Sequence, residues 1–294
     1  MRTLFAAAVV LGLCMPALAQ KQISLLATIT DPGGAPIDTL DPSAVRVMEN
    51  GANASIVKIE PLVRTPKVQI LIDNGTGMPP EAIGDLRKGV TGLLEALPPN
   101  IETTLVTTSP QPRFLERATT DRARLLKAVD RLAPDSSTGR FVESMFEATE
   151  RIEKDKEGIY TIVSIGTTAG DIQVADNDVS RVMQRVAGGR VRVFVAILEG
   201  RLGVTLSGGT IQMELGQGAA QSSGGRYEKV SVTSRLVTLL PEMGAELAKT
   251  LGGATRQFRI TIDRPGGASG ELGRLSLAVT GKQVTNVAVE SGRR

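Results

Sequence analysis

Residues 68–78, VQILIDNGTGM, form an apolar run that ends on one carboxylate, Asp73, inside a glycine-rich turn. A carboxylate at the carboxyl end of a buried parallel strand stands where open α/β sheets bind ligands. Asn74 and Thr76 offer side-chain oxygens beside it, while Gly75 and Gly77 hold the alternate loop positions. Thr138 and Asp135 come from a later loop, and Asp171, Asp176 and Asp178 follow an apolar run ending at Ile165. Hard cations take oxygen ligands of this kind, so metal binding at Asp73 is one reading. Metal-assisted hydrolysis by Asp73 with the 171–178 loop is a second. A metal-free binding surface made by Asn74, Thr76, Asp135 and Asp171 is a third. In a purely structural fourth, Asp73 accepts nearby backbone N–H groups, the glycines allow special backbone angles and Thr138 caps a helix starting near Gly139.

Composition narrows these chemistries. The chain has no histidine, which removes the commonest general base and metal ligand. A Ser-His-Asp triad, a zinc deaminase and a zinc peptidase are therefore excluded. The one cysteine, Cys14, lies in an N-terminal stretch that reads as removable, so thiolate-metal and redox chemistry are not expected. Formal net charge is +3, and there is no basic run interleaved with aromatics, so nothing marks a nucleic-acid partner. The 75–77 loop lacks the Lys-Ser/Thr ending of a phosphate loop.

The elements that position Asp73 follow from periodicity. Residues 1–19 carry one basic residue, an apolar run and Ala17-Leu18-Ala19, the pattern of a secretory signal peptide. The run is too short for a membrane anchor, so no span is expected after cleavage. Residues 20–63 read as a β-unit, with Asn50-Gly51 favouring a type I′ turn and Val45, Val47 and Glu49 on one side. Residues 66–255 alternate apolar strands near 68–72, 101–108, 158–165 and 190–197 with amphipathic helices near 79–97, 121–132, 139–154, 175–187 and 236–251. That alternation predicts a Rossmann-like, three-layer α/β domain on a parallel sheet. Glu143, Glu147, Glu150 and Arg151 fall at helical spacing as an exposed face. Residues 256–294 return to period two and predict strands that pack with the 20–63 unit as a small β-sandwich.

The order VRVMENGANASIVKIEP, VQILIDNGTGM, STGRFVESMFEAT, YTIVSIGTTAGD, VRVFVAILEG and AAQSSGGRYEKV resembles the VWFA-related family of secreted bacterial proteins, a branch of the von Willebrand factor A-like domains. The resemblance implies a metal-ion-dependent adhesion site, built from Asp-x-Ser-x-Ser, a threonine and a second aspartate. Carried over, Asp73 matches the first aspartate and Thr138 the threonine. Gly75 and Gly77 fall on the two serines, and Ile165 on the second aspartate. The implied site is thus degenerate, with no cofactor expected beyond a divalent cation such as Mg²⁺. The expectation is an exported, periplasmic or extracellular interaction module that binds an unidentified protein and is not an enzyme. The hydrolase and a purely structural envelope domain are the alternatives.

Overall fold

A computed structural model describes residues 22–33, 35, 37–63, 65–155, 158–169, 176–199, 207–254, 256–267 and 272–290. The expected signal peptide and Asp171 lie outside the described residues.

The chain opens with β1 (Gln22–Thr30), β2 (Val45–Glu49), β3 (Ala52–Asn53) and β4 (Ser55–Val63). An α/β body follows in the order β5 (Thr65–Ile72), α1 (Ile83–Ala96), β6 (Glu102–Thr107), β7 (Arg113–Thr119), α2 (Arg122–Asp130), α3 (Phe141–Lys154), β8 (Gly158–Thr167), α4 (Asp176–Ala187), β9 (Val191–Leu198), α5 (Ser207–Ser223), β10 (Arg226–Val230) and α6 (Leu236–Ala254). The chain returns through β11 (Arg256–Asp263), β12 (Leu275–Val279) and β13 (Gln283–Glu290).

The central sheet has the order β10-β9-β8-β5-β6-β7. All its pairs are parallel except β6 with β7, so the sheet is mixed, with one antiparallel edge. β8 is buried along its whole length because helices cover both faces. Alternate residues go opposite ways. Ile70, Ile72, Val163 and Ile165 pack with apolar residues of α1, α2 and α6, such as Leu86, Leu125 and Leu240. Leu71, Ile162, Val193 and Val195 pack with Met145 of α3, Val182 of α4 and Leu215 of α5. Each such fully buried aliphatic side chain contributes about 1.5–3 kcal/mol.

The flanking strands form two small sheets, β13-β1-β11-β4 and β12-β2-β3. They enclose a third core of Leu25, Ala27, Ile29, Val45, Val47, Phe258, Ile260, Ile262 and Val279. Asn50 (φ 51°) and Gly51 (φ 84°) turn β2 into β3 with the left-handed pair of angles a type I′ turn needs. Glu49 ends β2 inside this unit. Its Oε2 accepts from Arg264 Nε at 2.9 Å, and its Oε1 accepts from Arg264 Nη2 at 2.5 Å and from the Gly273 N–H at 2.8 Å. Both side chains of this ion pair are 4% exposed.

Three elements differ from the sequence expectation. β7 carries Arg, Glu and Thr in place of an apolar alternation, so periodicity gives no strand there. α5 runs for 17 residues, more than its sequence suggests, because its glycines weaken the amphipathic pattern. α3 starts at Phe141 with Arg140 as the cap residue and no side-chain cap bond. Thr138 therefore lies outside the cap position and does not cap the helix.

Candidate functional site

Asp73 follows β5 at the carboxyl edge of the sheet. Its N–H donates to the Ile165 carbonyl at 2.8 Å, extending the pairing of β5 with β8 by one residue. The side chain turns back into the loop and is 4% exposed. Its Oδ1 accepts from the Gly75 N–H at 2.9 Å, and its Oδ2 accepts from the Thr167 hydroxyl at 2.9 Å.

A strap formed by residues 133–140 is laced over this turn. Asn74 Nδ2 donates to the Ala133 carbonyl at 2.9 Å, and Asp135 N donates to the Asn74 carbonyl at 2.7 Å. Thr76 N donates to the Ser137 carbonyl at 2.9 Å, and Arg140 N to the Thr108 carbonyl at 3.1 Å. Asp135 Oδ1 accepts from Ser137 N at 2.8 Å and so shapes the strap instead of facing a ligand. Thr76 itself is exposed.

The strap packs closely on the Asp73 turn. A Cβ placed on Gly139 would lie 2.5 Å from Asp73 Oδ2, so the backbone there packs directly on the carboxylate. A Cβ on Gly75 would lie 2.5 Å from the Ser137 carbonyl and 2.7 Å from Gly139 N. One on Gly77 would lie 2.8 Å from the Ala169 carbonyl and press on the Thr167 hydroxyl. At both glycines the space of a side chain is taken by a neighbouring hydroxyl, of Ser109 or Thr167, and by backbone. Magnesium asks for six oxygens at about 2.0–2.1 Å in near-octahedral geometry. The residues present do not fit it. Among the described residues no three acidic, histidine or cysteine side chains gather in a way that could hold a metal ion.

Two positions assigned by resemblance move. Ile165 is 1% exposed and packs in the core under α1 and α6, so it is not a rim residue. β8 runs two residues further, and the side chain that meets Asp73 from it is Thr167. The apolar run of β8 stops at Ile165 although the strand does not, which hides Thr167 from a hydropathy reading. Thr138 is half-buried, and no side-chain hydrogen bond joins it to Asp73. Asp178 sits half-exposed within α4.

Thr108 and Ser109, just past β6, were not singled out by motif. Their hydroxyls are buried; that of Thr108 is turned to the Asp73 carboxylate and acts to lower its pKa, and that of Ser109 abuts Gly75 with no hydrogen-bond partner. Their signal was positional only: they end the strand beside β5, at the level of Asp73.

Electrostatics follow from this closure. Burial pushes the Asp73 carboxyl above the usual carboxylate range, and the Gly75 N–H and Thr167 hydroxyl offset that only in part. The single Thr167 hydroxyl proton also faces two acceptors, Asp73 Oδ2 at 2.9 Å and the Ala169 carbonyl at 3.1 Å. The raised pKa has a definite sign in stability. The contribution of Asp73 is complete below its unfolded pKa of about 3.9 and is lost as pH rises through the higher folded value. Wild type is therefore expected to lose stability relative to Asp73→Asn as pH rises, in denaturant unfolding at a series of pH values. A wild type that gains on the variant with rising pH contradicts this assignment.

Among the described residues no helix is long and apolar enough to cross a membrane. No protein-family model matches the sequence, and no curated protein does either. Solved structures do match. A von Willebrand factor type A protein from Catenulispora acidiphila superposes with a TM-score of 0.52 at 14% identity, over 92% of this chain and 74% of that one. The D319A mutant of the PilB minor pilin from Streptococcus sanguinis gives 0.50 at 10% identity, over 65% of this chain and 63% of that one. The SpRpn10 VWA domain gives 0.47 at 19% identity, over 62% and 97%. With the mixed sheet between two helical layers, the first of these matches shows that the α/β body has the fold of von Willebrand factor A domains.

Proposed function

We propose that this chain is an exported, non-catalytic protein-interaction module whose rim engages its partner without a metal ion. The observation that carries the reading is the packing of the Gly139 backbone on the Asp73 carboxylate, with Gly75 and Gly77 in backbone contact on either side. A cation bridging to a partner's acid has no place in such a rim. The hydrolase alternative needs converging acids, and among the described residues no three acidic side chains gather in a way that could hold a metal ion. Export rests on the charge and hydropathy pattern of residues 1–19 and the Ala17-Leu18-Ala19 exit.

Thr76 is the exposed centre of the Asp73 turn and the place to test the reading. A photo-crosslinking residue at position 76 of the exported chain is expected to capture a discrete partner equally well with and without chelator. Mass spectrometry of the captured chain is expected to find Gln20 at its N-terminus. Capture that vanishes with chelator, or no capture from position 76, overturns the metal-free rim as the contact surface.

A further inference from the structure

The edge of the central sheet at β7 is rich in arginine. Residues 113–131, which include β7 and α2, hold six basic residues against three acidic ones, an excess equal to that of the whole chain. Glu116 is already engaged by Arg124 at 2.7 Å, and Arg122 is spent on the Leu97 and Pro98 carbonyls. Arg113, Arg117, Lys127 and Arg131 are exposed and form no ion pair among the described residues. In their midst Phe114 is 42% exposed, with the Arg117 guanidinium 4.7 Å and that of Arg151 5.3 Å from its ring centre.

Local geometry explains how the aromatic comes to face outward. Val106 pairs with Phe114 and Leu105 with Glu116, so β7 holds one extra residue, Leu115, at a bulge. The bulge lets Leu115 pack on the core beneath α2 while Phe114 turns to the α3 side. Among the described residues no strand pairs with the outer edge of β7. The edge at β4 is different. It is blunted by Pro61 and by the Lys58–Glu60 pair at 2.7 Å, although Val63 there is 84% exposed. β7 contains neither proline nor lysine.

We infer that the β7 edge is a docking surface for an extended acidic segment of a partner protein, with one apolar side chain of that segment set on Phe114 and its carboxylates meeting Arg113 and Arg117. Charge complementarity supplies the partner's sign, and the aromatic between arginines supplies an anchor of the type that dominates binding energy in protein contacts. The inference rests on the interaction reading only in requiring a protein partner. Its test involves no metal and no rim residue, so the two fail separately.

The probe is a fluorescein-labelled seven-residue peptide of alternating Glu and Val, followed by anisotropy, with hydrogen exchange to locate it. Saturable 1:1 binding is expected, with slowed exchange in residues 113–119 and weakening as salt rises. Phe114→Ser and the double variant Arg113→Glu/Arg117→Glu are each expected to weaken it at least tenfold. These positions are exposed, and an unchanged unfolding midpoint verifies that the variants fold. No binding of the peptide overturns the inference, as does equal binding by the variants. So does oligothymidylate bound as tightly as the peptide, because that marks a general polyanion surface.

Discussion

Restoring serine at positions 75 and 77 is expected to unfold the rim, not to rebuild a metal centre. The added Cβ at Gly75 would stand 2.5 Å from the Ser137 carbonyl, and at Gly77 2.8 Å from the Ala169 carbonyl. The Ser109 and Thr167 hydroxyls crowd these positions too, but the carbonyls are backbone, which yields only by moving the strap or the turn after β8. Overpacking costs about 1–3 kcal/mol per site, and the two sites share the same loop, so the double variant is expected to lose roughly 4 kcal/mol. In thermal unfolding its midpoint falls by about 10 °C, and added Mg²⁺ does not restore it. A double variant as stable as wild type, or one rescued by Mg²⁺, means the strap opens easily and the site is recoverable.

Glu49→Ala is expected to be the most damaging single change in the flanking β-unit. It removes the acceptor of two Arg264 bonds and one backbone bond, and takes the carboxylate away from a guanidinium that is almost fully buried. Breaking a buried pair from one side is far costlier than losing a surface pair. The expected fall in the unfolding midpoint is on the order of 10 °C, with Glu49→Gln falling less because it keeps the shape and part of the bonding. The Arg264 hydrogen bonds hold the Glu49 carboxyl below its usual value. Its contribution is therefore complete above the unfolded pKa and is lost as pH falls through the lower folded one. A Glu49→Ala protein whose unfolding midpoint matches wild type contradicts the assignment.

The fold was legible where burial imposes a period. β5, β8 and β9 are covered on both faces and read as apolar runs, and α3 showed its stripe of Phe141, Met145, Ala148 and Ile152. β7 was illegible because an edge strand needs little apolar surface, and a bulge breaks its alternation. In the site, Asp73 was found from its place at a strand end, and the glycines from their mismatch to serine. What their replacement means was not readable, because motif comparison registers a lost ligand and not the backbone that fills its place. Thr167 escaped for a related reason: Gly166 interrupts the apolar run while β8 pairs on to Thr167 with β9. Pairing sets the end of a strand, and hydropathy only approximates it.

Backbone packing and a buried carboxyl whose pKa burial raises stand at the position of the cation in this rim. The most direct measurement is calorimetric titration of the chelator-treated protein with Mg²⁺, Mn²⁺ and Ca²⁺, alongside Asp73→Ala. The account predicts no saturable heat from wild type and an unfolding midpoint unmoved by millimolar metal. Stoichiometric binding by wild type that disappears in Asp73→Ala would contradict it, because the strap would then have to open and Asp73 to serve as a ligand.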